Sequence, residues 1–289
     1  MTYKEVVQQI SDLNTIQGLV NIYQQVAAMR MRKIKSNVTR TREFYTELLD
    51  VYIQAQKAYV ENPARTASST PQQKKDRLAL VMTANTGLYG SIVKEVFDLF
   101  VKENLNPATK TNQASDLAVA GRLGKSWMAI QGDKRDYKYF DLGDGATNLA
   151  YQLKEIFSYA GQYRNILVYH GVFKSITEQV PTVTTISREA KVANTSKNSA
   201  LKDETYIFEP TLDLVLETFE EQFRHTFFDQ SAYESALAKF GSRMVSLDSA
   251  VQNITKELTK NTLTSMKIKH RELNKKQINN LLGVSQWKK

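Results

Sequence analysis

Gly124-Lys125-Ser126 is the stretch that comes nearest to phosphate chemistry, with a lysine to meet phosphate oxygens and a hydroxyl to reach a magnesium ion. A phosphate loop also needs an opening glycine ahead of these residues, and Val119 stands there; the residues between read as strand and turn rather than as an arch over phosphate. Gly87 and Gly90 follow an apolar run and precede a helical one, but the third glycine of a dinucleotide fingerprint would fall on Val93. His170, His225 and His270 are scattered without a ligand spacing, and the chain has no cysteine, which excludes disulfides, thiolate catalysis and cysteine-held metal. No serine, histidine and carboxylate set stands out. The residues therefore assign no catalytic, cofactor-binding or metal site.

The remaining chemistry is electrostatic. The net charge is +9, and it is concentrated. Arg30, Arg32, Lys33, Lys35, Arg40 and Arg42 run together with no acid among them, and from Lys256 to Lys289 nine cations face only Glu257 and Glu272. A solvated helix face is one reading of such patches; the other is a polyanion or an acidic protein surface opposite them.

Both patches lie on stretches free of helix breakers. All five prolines fall between Pro63 and Pro210, and nine of the twelve glycines between Gly87 and Gly171. The ends are thus free to be long helices, with the turn chemistry confined to the middle. In the first stretch Ile10, Leu13, Val20, Ala27, Met31, Ile34, Val38, Tyr45, Leu48, Tyr52 and Ala55 return at alternating three and four steps, with Gln17, Gln24 and Thr41 in the intervening slots. A repeat of about 3.5 residues held over this length follows a left-handed supercoil and asks for a helical partner. A helix from Tyr3 to Glu61 would run roughly 88 Å.

The same spacing recurs in Phe240, Met244, Leu247, Val251, Ile254 and Leu258, on a helix that Pro210 would open. Each helix joins the middle at its inner end, so the pair must be antiparallel, with Val20 to Val38 facing part of Phe240 to Leu258. Past Leu258 the register meets Asn261, Ser265, Ile268, Glu272, Lys275, Asn279 and Leu282, and the apolar seam is expected to dissolve toward the end.

In the middle, Leu78 to Thr83, Asp116 to Ala120 and Ile166 to His170 read as buried strands, and Pro181 to Ile186 as a possible fourth. Ile92 to Phe100 and Leu149 to Ala160 carry helical spacing. Alternating strand and helix implies a small parallel sheet. The fold expected is α/β, a long antiparallel coiled coil of the terminal helices plus a central Rossmann-like domain, divided at 1–62, 63–209 and 210–289. No run of apolar residues is long enough to cross a membrane, and the start, MTYKEVVQQ, lacks a signal-peptide core, so the chain is expected to be soluble or peripheral.

In that order the chain resembles the gamma subunit of the F-type rotary ATP synthase. Ile10, Gln17 and Val26-Ala27-Ala28-Met29-Arg30-Met31-Arg32-Lys33 resemble the family's first helix, and Gly87-Leu88-Tyr89-Gly90 its Gly-Leu-Cys-Gly turn. Phe173 with Gln179-Val180-Pro181-Thr182 resembles the strand that follows, and Arg243-Met244-Val245-Ser246-Leu247-Asp248-Ser249-Ala250 with Gly283 the final helix. The resemblance implies a non-catalytic rotor shaft without a cofactor, one copy per complex. Its coiled coil would enter a ring of alpha and beta subunits, and its globular part would sit on the membrane c-ring beside the epsilon subunit. It would be peripheral to the cytoplasmic face of a bacterial plasma membrane, or to the matrix or stromal face in an organelle.

The same resemblance makes Arg30, Arg32, Lys33, Lys267, Lys269, His270, Arg271 and Asn274 the candidates for passing torque to the beta subunits. The family's beta-contacting arginine, glutamine and threonine fall here on Lys269, His270 and Asn274, Tyr23 replaces a usual methionine, and Asn85-Thr86 replace a usual Asp-Arg. These departures leave open a standard synthase or a specialised hydrolysis-driven relative. A basic coiled coil that grips nucleic acid is the rival of a different class. It would need aromatics to stack bases, and the cationic end offers only Trp287.

Overall fold

The computed structural model describes residues 2–61, 75–105, 115–132, 135–144, 149–186 and 212–287. In chain order the elements are α1 (Tyr3–Glu61), β1 (Lys75–Met82), α2 (Ile92–Asn104), β2 (Asp116–Ala120), α3 (Arg122–Gln131), β3 (Tyr137–Phe140), α4 (Leu149–Ala160), β4 (Tyr163–Phe173), β5 (Gln179–Ile186) and α5 (Leu212–Trp287). Pro210 and the boundaries expected at 62/63 and 209/210 lie outside the described residues. Chain contacts divide the protein into two compact units, Met1–Ala28 with Met244–Lys289, and Met29–Arg243.

The larger unit holds a five-stranded sheet in the order β3-β2-β1-β4-β5. β1 pairs in parallel with β2 and β4, and β2 in parallel with β3. The crossovers through α2 and α3 step outward from β1 in one direction, and α4 carries the chain back to the other side of β1. That reversal is the switch point of a doubly wound fold. The sheet is mixed, not purely parallel, because β5 returns antiparallel to β4 by a tight hairpin. Pro181 sits in this outermost strand, where a missing N–H costs no ladder bond.

Alternation along β1 splits the core between the two faces of the sheet. Leu78, Leu80 and Met82 pack with Leu153 and Ile156 of α4 and with Phe228 and Ala232 of α5. On the other face the apolar stripe of α2 (Ile92, Val93, Val96, Phe97, Phe100) is buried, and the Phe100 ring meets Tyr169 of β4 edge-on at 5.3 Å. Each such side chain removed from water contributes about 1.5–3 kcal/mol. α3 and β3 were not legible as elements. α3 carries Gly124 in its interior and buries only that residue and Met128, and in β3 only Phe140 is buried. Gly124 is needed there: a Cβ would stand 2.7 Å from Val119 of β2 and from the Thr83 hydroxyl, so only glycine lets α3 lie so close to the sheet.

Along α1 every position of the expected register is shielded, from Ile10, Leu13, Gln17, Val20, Gln24, Ala27, Met31, Ile34, Val38, Thr41, Tyr45 and Leu48 to Tyr52 and Ala55, with flanking residues such as Val26, Ala28, Asn37, Val51, Ile53 and Gln54 half-buried beside it. In the larger unit α1 and α5 run antiparallel. The Tyr45 ring lies 4.8 Å from Phe227, Tyr52 lies 5.0 Å from Phe223, and Arg42 holds Glu234 at 2.8 Å. In the smaller unit Gln17 donates to the Thr255 hydroxyl at 3.0 Å.

Candidate functional site

The seam residues behave as their spacing requires. Ala27, Met31, Ile34, Phe240 and Leu247 are buried, and Val20, Met244, Val251, Ile254 and Leu258 are half-buried. Two features of α5 depart from expectation. The pairing surface begins well before Phe240, at Phe219, Phe223 and Phe227, where the helix also meets the sheet and is therefore buried nearly all round from Ser231 to Ser242. A helix shielded on every side has no single stripe to read. At the far end, Asn261, Ser265 and Ile268 continue the half-shielded register past Leu258, and from Lys269 to Leu282 every residue is exposed. The seam therefore ends at Ile268, ten positions later than its apolar part.

Lys267, Lys269, His270, Arg271 and Asn274 are all exposed and belong to the smaller unit; among the described residues none of the cations is held in an ion pair. Leu273, Ile278, Leu281 and Leu282 are exposed beside them. Arg30, Arg32 and Lys33 belong to the larger unit and are also exposed; the Arg30 guanidinium lies 5.9 Å from the Phe240 ring. The run Arg30–Arg42 is not free throughout, because Arg42 donates from Nε and Nη2 to one oxygen of Glu234, a carboxylate otherwise buried on α5. An unpaired carboxylate there would be costly, so that cation serves the helix pair.

The two glycine turns are occupied from within. In Gly87-Leu88-Tyr89-Gly90, Leu88 adopts φ 67° and its carbonyl and that of Gly87 accept from Arg243 of α5 at 3.0 and 2.8 Å, while the guanidinium stacks on Tyr89 at 3.9 Å. Two segments that resemble the family separately in sequence thus meet in space. At the start of α3, Arg122 N–H donates to Asn85 Oδ1 and Gly124 N–H to the Thr83 hydroxyl, so these donors do not face outward as a phosphate cradle requires. Among the described residues no group of three or more histidine, cysteine or acidic side chains is arranged to hold a metal.

Sequence reasoning missed Lys239. Its ammonium is buried at the carboxyl end of β1, donates to the Thr83 carbonyl at 3.1 Å and lies 3.9 Å from Asp144, and burial lowers its pKa from the ordinary lysine value. Nothing in a single sequence marks a lysine as buried. The one available signal was its place inside the small-residue stretch Ser235 to Ser242, where a helix can approach a sheet closely.

Two long terminal helices that pair with each other, a Rossmann-type mixed sheet between them in the chain, and a cationic helix end that forms no ion pair among the described residues define a central-stalk class of fold. The sequence model of the ATP synthase family matches residues 2–273, and the chain belongs to that family. Its curated relatives include the ATP synthase gamma chains of Bdellovibrio bacteriovorus, 23% identical over 99% of this chain and 98% of the relative, and of Cytophaga hutchinsonii, 23% identical over 89% and 88%. Among solved structures, the fold is similar to a chain of the Tetrahymena thermophila mitochondrial ATP synthase central stalk and c-ring (19% identity, TM-score 0.53, 80% of this chain and 99% of that one). It is also similar to a chain of the Euglena gracilis mitochondrial enzyme (13% identity, TM-score 0.50, 92% and 94%).

Proposed function

We infer that this chain is the gamma subunit, the central rotor shaft, of an F-type ATP synthase, and that it couples ion-driven rotation of a membrane ring to ATP synthesis or hydrolysis in the catalytic head. The observation that carries this is coverage: gamma chains align with almost the whole chain, end helices and sheet domain together. The chain contributes no catalytic residue of its own. Its partners are the alpha and beta subunits, the epsilon subunit and the c-ring, with one copy per complex. It works as three parts, residues 1–62, 63–209 and 210–289, peripheral to the membrane on the side that carries the head. Among the described residues no helix is long and apolar enough to cross a membrane.

Torque passes through Arg30, Arg32 and Lys33 on α1 and Lys267, Lys269, His270, Arg271 and Asn274 on α5. Exposed cations attract acidic loops of each beta subunit in turn, and a helix end with no seam of its own can slide past three partners. A hydrolysis-driven relative of the synthase is the second reading, favoured by the replacement of a bidentate arginine with Lys269.

The test is purification of the full chain from its native source under mild conditions. It is expected to elute with a hexameric nucleotide-binding head. Elution alone, or with nucleic acid, contradicts the assignment.

A further inference from the structure

In doubly wound folds ligands enter the crevice at the carboxyl ends of the strands where the strand order reverses. Here that point lies between β1 and β4, and α5 fills it. Ala238 abuts Gly171 of β4 so closely that a Cβ on the glycine would stand 3.1 Å from the alanine's. The next residue, Lys239, sends its ammonium to the Thr83 carbonyl just past β1 and toward Asp144, which follows β3. Both side chains are almost sealed, 6% and 8% exposed. Asp144 is itself fixed by three donors, the N–H groups of Asn85 and Thr86 and the Thr86 hydroxyl, at 2.9, 2.7 and 2.7 Å.

One helical turn further on, Arg243 grips the carbonyls of Gly87 and Leu88. Residues four apart lie on one face of a helix, so α5 holds the β1–α2 turn at two points from the same side. A buried charge pair adds little net stability compared with apolar packing, and its distinctive property is a defined geometry. Sliding or twisting α5 against the sheet would take the buried Lys239 ammonium away from the Thr83 carbonyl and leave the buried Asp144 without its countercharge, a penalty that apolar contacts alone would not impose.

We propose that Lys239 and Asp144 form a torque latch: the crevice that related folds keep for a ligand is used here to fix α5 to the sheet, so that rotation of the helix and rotation of the sheet domain are one motion. Lys239 and Asp144 are positioning residues, and the inference rests on the rotor-shaft assignment. The test uses the complete complex carrying the unchanged chain, Lys239→Met, which keeps an unbranched side chain, or Asp144→Asn, which removes the charge but keeps the shape and one oxygen to accept from the two Thr86 donors. The head is fixed to a surface, a bead is attached to the membrane ring, and the angular fluctuation of the bead is recorded at rest alongside ATP hydrolysis by the head.

Complexes with either variant are expected to hydrolyse ATP as the unchanged complex does and to fluctuate with about twofold larger angular variance, because a fixed joint has become compliant. A contribution to folding alone would reduce the yield of complex and leave the variance of assembled complexes unaltered. Equal variance in assembled variants overturns the latch. Failure of both variants to assemble assigns the pair to folding and overturns it as well. Failure of the unchanged chain to copurify with a head overturns the rotor-shaft assignment itself, and the latch with it.

Discussion

Lys239 and His170 are both buried titratable residues, and each makes a prediction that its environment fixes. Since Lys239 fills the switch-point crevice and the N–H groups opening α3 are used internally, calorimetry on the full chain is expected to find no micromolar binding of ATP or NAD. Measured micromolar affinity for either would contradict the site as described. His170 sits in β4 with Nε2 2.8 Å from the Thr184 hydroxyl, and burial lowers its pKa, opposed in part by Glu234 and by the Gly171 carbonyl. The unfolded chain therefore takes up this proton first as pH falls. Stability is fully present above the ordinary histidine value of 6.5 and is lost as pH falls from there through the folded value, with a slope of up to about 1.4 kcal/mol per pH unit. Thermal unfolding followed from about pH 8 to pH 5 should show this slope, and His170→Gln should flatten it. Neither Lys239 nor His170 could be assigned from the sequence, since burial of a single polar residue depends on what the rest of the chain brings against it.

At the scale of elements, legibility followed how many faces a segment buries. α1 buries one, so its three-four spacing from Ile10 to Ala55 was readable to the residue. α2 and α4 were equally clear, because each turns an apolar stripe to one face of the sheet, and so was β2, a continuous apolar run buried on both faces. α3 escaped notice for the opposite reason: its glycine packs by being small, and an absent side chain gives no hydrophobic signal. The pairing of α1 with Phe219, Phe223 and Phe227 was hidden by the second contact of α5 with the sheet. The helix pair can be tested away from that complication at Leu247, which is 7% exposed in the smaller unit. Leu247→Asp is expected to cost at least the ~2–5 kcal/mol of a large core truncation, since it adds a buried charge to a lost contact. Leu263, 54% exposed on the same helix, is the control, and Leu263→Asp should leave the melting temperature nearly unchanged. Equal melting of the two variants would remove Leu247 from the seam.

For the whole molecule, the family was legible because five short segments keep their order over nearly the full chain, although none identifies it alone. The residues proposed to pass torque were legible only as charge, because their side chains are exposed and carry no apolar pattern that names a partner. Exposed ion pairs are worth roughly 0–1 kcal/mol each, so coupling should decline gradually as tip cations are removed. In the assembled complex, Lys269→Ala with Arg271→Ala should lower ATP-driven ion pumping more than ATP hydrolysis, and rising ionic strength should mimic the substitution. Pumping that is indifferent to both would leave shape alone to carry torque. The central claim, that this chain turns inside a catalytic head, is tested most directly by watching it. The chain has no cysteine and Ile130 is 81% exposed, so Ile130→Cys gives a single attachment point for a bead. With the head fixed to a surface and ATP supplied, the bead is expected to rotate in one direction with three pauses per turn. A bead that stays still or wanders in both directions, while the same immobilised heads hydrolyse ATP, would contradict the account.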